Sequence, residues 1–246
     1  MAENWQEMQQ AADAAFRAEM AAWRNMPVEF FTYLWEHGLL GAVNGRPAFP
    51  VHNAQGEVVG AHVRKPDDKN KWGYVWFTQD PEQRKMGLLI IGQLGTAKNV
   101  WFLESQWDAF VCMMLMGWHK GGMAGGAIVI VITRGAENGH RIKGMCRPDQ
   151  IVYAFKQNDG PREDGGQPPA DRWMDAVAQH AGCAVRWVKT PAEHKDPNEW
   201  LRAGAKTIDL MKATHAGQRT SAVGLRFVFV GDFRQVRGIT QRLGLG

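Results

Sequence analysis

At 246 residues, with 45% hydrophobic and 22% charged positions, the chain has the make-up of an ordinary soluble globular protein of one large or two small domains. Cys112, Cys146 and Cys183 stand singly, with no finger-type zinc spacing, and fit a reducing cytoplasm better than a disulfide framework; without a visible signal peptide or membrane-length apolar run, the expected setting is the cytoplasm. The net charge of +4 is mild but uneven: after Leu201, eight basic residues (Arg202, Lys206, Lys212, Arg219, Arg226, Arg234, Arg237 and Arg242) face only Asp209 and Asp232, a balance suited to a polyanion such as nucleic acid.

In chain order, residues 3–24 read as one amphipathic helix. Trp5, Met8, Ala12, Phe16, Met20 and Trp23 recur at spacings of three and four. Pro27 opens a second helix that Gly38 stops. Residues 47–53 and 57–65 then read as a hairpin turning at 54–56, with a further strand over 71–77. From Leu88 onward, strands at 88–91, 100–103, 127–133, 151–155 and 184–188 alternate with helices at 106–116 and 170–181. That order predicts a parallel sheet with covering helices. The Gly- and Pro-rich stretch 160–169 reads as a loop, and residues 225–231 as a last strand before a basic tail. Eleven Trp and twelve Met fill the core in the main, and an exposed minority of Trp could stack on bases.

The most informative stretch is Val100–Gly117. Four apolar residues lead straight into Glu104, and an apolar helical pattern containing Asp108 follows. Glu104 therefore falls at the carboxyl end of a buried strand, where open α/β sheets place their ligands. A carboxylate there is costly unless paired, and a divalent cation is a natural partner.

Several segments together resemble the Toprim-domain DNA primases of bacteria and phages. Glu104-Ser105-Gln-Trp-Asp108-Ala109 is similar to the E-G-x-x-D-A signature, and Ile128–Ala136 to the strand and glycine turn that follow it. Ile151–Asp159 resembles the strand leading to D-x-D, and Lys195-Asp196-Pro-Asn198-Glu199-Trp-Leu201 resembles K-D-x-N-D/E-x-L. Upstream, Phe49-Pro50, Gln55–Gly60 and Arg64-Lys65 are similar to the hairpin that precedes Toprim in these primases. The resemblance spans roughly residues 27–210.

It implies a Toprim-type parallel sheet with flanking helices, preceded by a small α+β primase-like subdomain. The division is 1–26 for the N-terminal helix, 27–95 for the subdomain, 96–206 for Toprim and 207–246 for a basic extension. By the same resemblance Glu104 is the catalytic glutamate, and Glu104, Asp159, Asp196 and Gln157 surround Mg²⁺ or Mn²⁺. Arg64, Lys65, Lys69, Lys71 and Arg134 would face template or nucleotide phosphates. The implied activity is primer synthesis on single-stranded DNA from NTPs. Without a zinc module or a P-loop motor, a separate helicase or replication partner is expected, in the setting of a phage or other mobile element.

One departure matters. The first Asp of D-x-D falls on Gln157, which removes a full charge; Glu163 or Asp164 in the adjacent loop could compensate. Structural readings stand beside the functional ones. Asp196 before Pro197 and Glu199 is a good helix cap, with Gly204 closing that helix. Asp108 suits a hydrogen-bonding role, and Asp159 before Gly160-Pro161 suits a turn. A Toprim nuclease and a catalytically silent nucleic-acid-binding module are the alternatives to a primase.

Overall fold

The structure, a computed structural model, describes residues 4–53, 57–64, 72–85, 87–121 and 127–219. The turn expected at 54–56, the strand at 225–231, the basic tail, and Lys65, Lys69 and Lys71 lie outside the described residues.

The N-terminal amphipathic stretch forms two helices rather than one, α1 (Trp5–Ala11) and α2 (Ala14–Arg24). The break has a local cause. The Asp13 carboxylate accepts the Phe16 amide hydrogen at 2.8 Å and so begins a new helix. Helix α3 (Val28–Glu36) follows Pro27, and Gly38 turns the chain out at a left-handed φ of +67°.

Four antiparallel strands come next, in spatial order β1 (Gly41–Val43), β2 (Arg46–His52), β3 (Val58–Arg64) and β4 (Trp72–Trp76). The first hairpin turns on Asn44-Gly45 with φ of 50° and 68°, the pairing that two-residue hairpins favour. One face of this sheet packs Ala48 and Ala61 under Trp5 and Met8 of α1. A Cβ at Gly41 would lie 3.0 Å from the Met8 carbonyl carbon, so the close approach of β1 to α1 needs glycine there. On the opposite face Phe49 meets Trp107 and Phe110, at centroid distances of 5.3 and 5.4 Å.

The second sheet runs β5 (Leu89–Ile91), β7 (Ile128–Ile132), β6 (Asn99–Leu103), β8 (Ile151–Lys156) and β9 (Val185–Lys189). The last four are parallel, as the alternation of strands and helices implies. Strand β5 is antiparallel to β7, because too few residues join β5 to β6 for a crossover. Helix α4 (Gln106–Leu115) links β6 to β7, a 3-10 segment (Ala136–Ile142) lies between β7 and β8, and α5 (Pro169–His180) links β8 to β9. Helices α6 (Pro197–Arg202) and α7 (Thr207–Arg219) complete the described chain. Helix α7 falls where a basic extension is expected, and it seats Leu210 in the core at 1% exposure.

Both sheets share one core. Phe30 and Phe31 of α3, Phe49 of β2, Phe110 of α4 and Leu103 and Ile130 of the parallel sheet belong to a single apolar cluster. No described helix is long and apolar enough to cross a membrane.

Candidate active site

The carboxyl ends of β6 and β8, with the starts of α4 and α6, bring the sequence-identified acids to one end of the parallel sheet. Strand β6 is central and its Val100, Phe102 and Leu103 are fully buried, which fixes the point at which Glu104 emerges. The backbone there is tied down: Thr133 N–H donates to Leu103 O at 3.0 Å, and Gly135 N–H donates to Glu104 O at 3.1 Å. Glu104 Oε2 is buried without a hydrogen-bond partner. Burial, then the charges of Asp159 and Asp108, push the Glu104 carboxyl up to about 7, against the pull of Lys195 and the Ala136 amide.

Asp159 stands just beyond β8, its side chain 15% exposed, with Oδ1 at 3.9 Å from Lys195 Nζ. Its Oδ2 accepts the Ala170 N–H at 2.9 Å, so this residue also fastens the start of α5. Asp196 is the cap of α6: its carboxylate accepts the Glu199 N–H at 2.7 Å, and Glu199 reaches back to accept the Lys195 N–H.

Asp108 lies one turn into α4 and is 2% exposed. Ser105 caps this helix, accepting the Asp108 N–H at 3.2 Å while its hydroxyl donates to Asp108 Oδ2 at 2.9 Å. Gln157 Nε2 donates to the same oxygen at 2.6 Å, and Asn198 N–H donates to Oδ1 at 3.4 Å. Burial, then the charge of Asp196, raise the Asp108 carboxyl to about 7, and those three hydrogen bonds draw it back. Gln157 therefore gives an amide N–H to Asp108.

Three participants carry no obvious sequence signal for the roles they take. Arg24, at the end of α2, donates from Nη2 to Asn198 Oδ1 at 3.0 Å and lies 4.0 Å over the Trp107 ring. Burial lowers its guanidinium to about 10, which leaves it charged at neutral pH. Asn198 and Lys195 lie within the K-D-x-N segment, yet nothing in that segment points to Asp108 or Asp159. The Ser105 cap, by contrast, is legible as Ser-x-x-Asp opening an apolar run.

Of the expected phosphate-facing residues, Arg64 ends β3 with its guanidinium 5.7 Å from the Trp23 ring centroid, and Trp23 is 46% exposed. Arg134 does not face solvent. It sits buried at a φ of +59°, its guanidinium donates to the Pro50 carbonyl oxygen, and burial lowers it to about 9. That corrects the expectation of an open phosphate contact: Arg134 bridges the two sheets instead. Nor does Asp164 make up for Gln157, since it pairs with Arg162 at 2.6 Å within its own exposed loop; Glu163 beside it is exposed.

No protein-family model matches the chain, and no curated protein matches its sequence. Comparison with solved structures decides the fold. The chain matches the structure of the DnaG catalytic core with a TM-score of 0.51 and 14% identity, over 86% of this chain and 79% of that one. This is a primase-like Toprim fold. The E. coli primase catalytic core matches at a TM-score of 0.49 and 14% identity, over 98% of this chain and 90% of that one. The RNA polymerase domain of Mycobacterium tuberculosis primase DnaG gives 0.48 and 15%, over 98% and 95%.

Proposed function

We propose that the chain is a primase-like nucleotidyltransferase that joins NTPs into primers on single-stranded DNA with Mg²⁺ or Mn²⁺. The observation that carries this reading is Glu104: a buried carboxyl with an unpartnered oxygen, beside Asp159, at the carboxyl end of the central Toprim strand. Glu104 and Asp159 are the residues that would hold the cation. Their all-oxygen donor set fits Mg²⁺, which keeps several waters and so needs few protein ligands. When bound, the ion would neutralise phosphate charge and help align the attacking oxygen.

The chain's own residues supply the rest. Where Glu104 is not bound to the ion, its Oε2, which has no hydrogen-bond donor, is available to accept the proton of a 3′-hydroxyl. Lys195, its side chain 63% exposed, reaches the same edge and presents a positive charge to an incoming triphosphate. Arg64 and the neighbouring Lys65, Lys69 and Lys71 fit a template backbone, with exposed Trp23 available for base stacking. A separate helicase or replication partner, and a phage or mobile-element setting in the cytoplasm, belong to the same reading.

A second reading is favoured by Gln157, whose amide N–H donates to Asp108: a silent module that keeps the fold and binds single strands. Primer synthesis from labelled NTPs, run beside a nuclease assay, separates the two. Metal-dependent product that disappears in Glu104→Gln supports the primase. Salt-sensitive strand binding with no product supports the silent module, and strand cleavage would point to a Toprim nuclease.

A further inference from the structure

We propose that Cys146 and Cys183 are a redox-responsive pair, closed into a disulfide by a low-molecular-weight disulfide of the glutathione class, and that the link staples the β8–α5–β9 unit at the amino end of the parallel sheet. The inference stands apart from the primase-like reading, because the pair lies at the end of the sheet opposite Glu104.

The two cysteines are distant in sequence, and the fold brings them together. Ahead of β8 a turn folds the chain back: Gln150 N–H donates to Arg147 O at 3.1 Å, and Arg147 N–H donates to Gln150 Oε1 at 2.8 Å. The turn is anchored, since Gln150 Nε2 donates to Ala97 O at 2.8 Å and Arg147 Nη1 to Gly95 O at 2.6 Å. Cys146 is thereby returned to the start of β8. Ahead of β9, α5 ends at His180 and the chain turns through Ala181 and Gly182, which leaves Cys183 just before Val185. Val152 and Val185 are register partners in the parallel pair, so both cysteines reach one edge. Both pack on the apolar cluster that holds Trp173, Val177 and Ala181. There the Cys146 thiol donates to the Cys183 sulfur, and Cys183 Sγ donates to Ala181 O at 3.7 Å.

The contact orders the chemistry. Burial, then the neighbouring Cys183, push the Cys146 thiol up to about 12. Burial raises Cys183 as well, but the S–H that it receives from Cys146 draws it back, so Cys183 ionises first. Its thiolate attacks one sulfur of the small disulfide and expels one small thiolate, leaving a mixed disulfide. The Cys146 thiolate then attacks the Cys183 sulfur and expels the second. One S–S bond breaks in the oxidant and one forms in the protein; the two protons lost by the protein end on the two released thiols, and the oxidant takes up both electrons. Raised thiols exchange slowly and leave poorly, so the link, once closed, is slow to reopen. Cys112 takes no part, being fully buried in α4 within the other apolar cluster. The closed segment carries Gln157 and Asp159, yet the link touches neither. It restricts the unfolded chain and so stabilises the folded one.

The full chain, held in glutathione buffers of rising oxidised fraction until its thiol content is constant, then alkylated and mapped by peptide mass spectrometry, tests this. One internal link between Cys146 and Cys183 is expected, with Cys112 alkylated only after unfolding. Melts of the same wild-type samples should give the linked form a Tm several degrees higher, returning to the starting value in dithiothreitol. Cys146→Ser and Cys183→Ser should each abolish the link and the shift. Thiols that all remain free in the most oxidised buffer would overturn the proposal, as would stable glutathione adducts without an internal link. A link to Cys112, or a Cys146–Cys183 link that leaves Tm unchanged, would overturn it too. The wild-type comparison needs no variant to fold, and none of these outcomes bears on primer synthesis.

Discussion

Glu104 and Asp108 are acids held at about 7 in the folded chain, against ordinary values of 4.5 and 3.8. Folding therefore raises their proton affinity, and the linked stability is fully present below about pH 4. It is lost as pH climbs to about 7. Burial lowers His52 and His62 to about 4 and about 3, and both add stability as pH rises over the same range, so the informative quantity is the difference between two proteins. In thermal melts of the metal-free protein, Glu104→Gln should gain Tm relative to the wild type as pH rises from about 4 to about 7; a difference that does not change with pH would contradict the assignment. Gln157→Asp should destabilise by about 2 kcal/mol or more, because it removes a donor from buried Asp108 and adds a like charge; chemical denaturation measures it. Glu104 was legible in the sequence, since no capping logic requires a carboxylate directly after an apolar strand. The role of Gln157 was not. Its partner lies 49 positions away, and only the approach of β8 to α4 brings them together.

Local capping chemistry decides much at the level of elements, and much of it could be read in advance. Asp196, Pro197 and Glu199 spell a helix start, and α6 begins there. Asp196→Ala should cost about 1 kcal/mol in denaturation while Asp196→Asn costs little, because asparagine caps as well. The parallel strands were also legible, as apolar runs that need burial on both faces. Asp13 was harder, because the apolar spacing continues smoothly across it and only its capping bond divides α1 from α2. The first hairpin had its signal in Asn44-Gly45, although β1 is too short to show alternation. Helix α7 had little signal. Leu210 is deeply buried while Ile208 is 55% exposed, so the charges around them read as a solvated tail.

At the scale of the molecule, the two sheets cannot be treated as independent bodies. Phe49 of the antiparallel sheet is fully buried against Trp107 and Phe110 of α4, and Arg134 reaches from the parallel sheet to Pro50. Calorimetry should therefore record one cooperative transition, and Phe49→Ala should lower its stability by about 3–5 kcal/mol. Two separated transitions would show that the halves fold alone. The same packing brings Arg24 to Asn198 and sets Arg64 over the Trp23 ring, contacts that sequence order leaves scattered over much of the chain. The central claim is that Glu104 does chemistry in this assembly. Incorporation of labelled NTPs on a single-stranded template, compared between wild type and Glu104→Gln at equal strand binding, tests it most directly. The account predicts Mg²⁺- or Mn²⁺-dependent primers from the wild type and a loss of about 10²–10⁴-fold in the variant; equal primer synthesis by both proteins would contradict it.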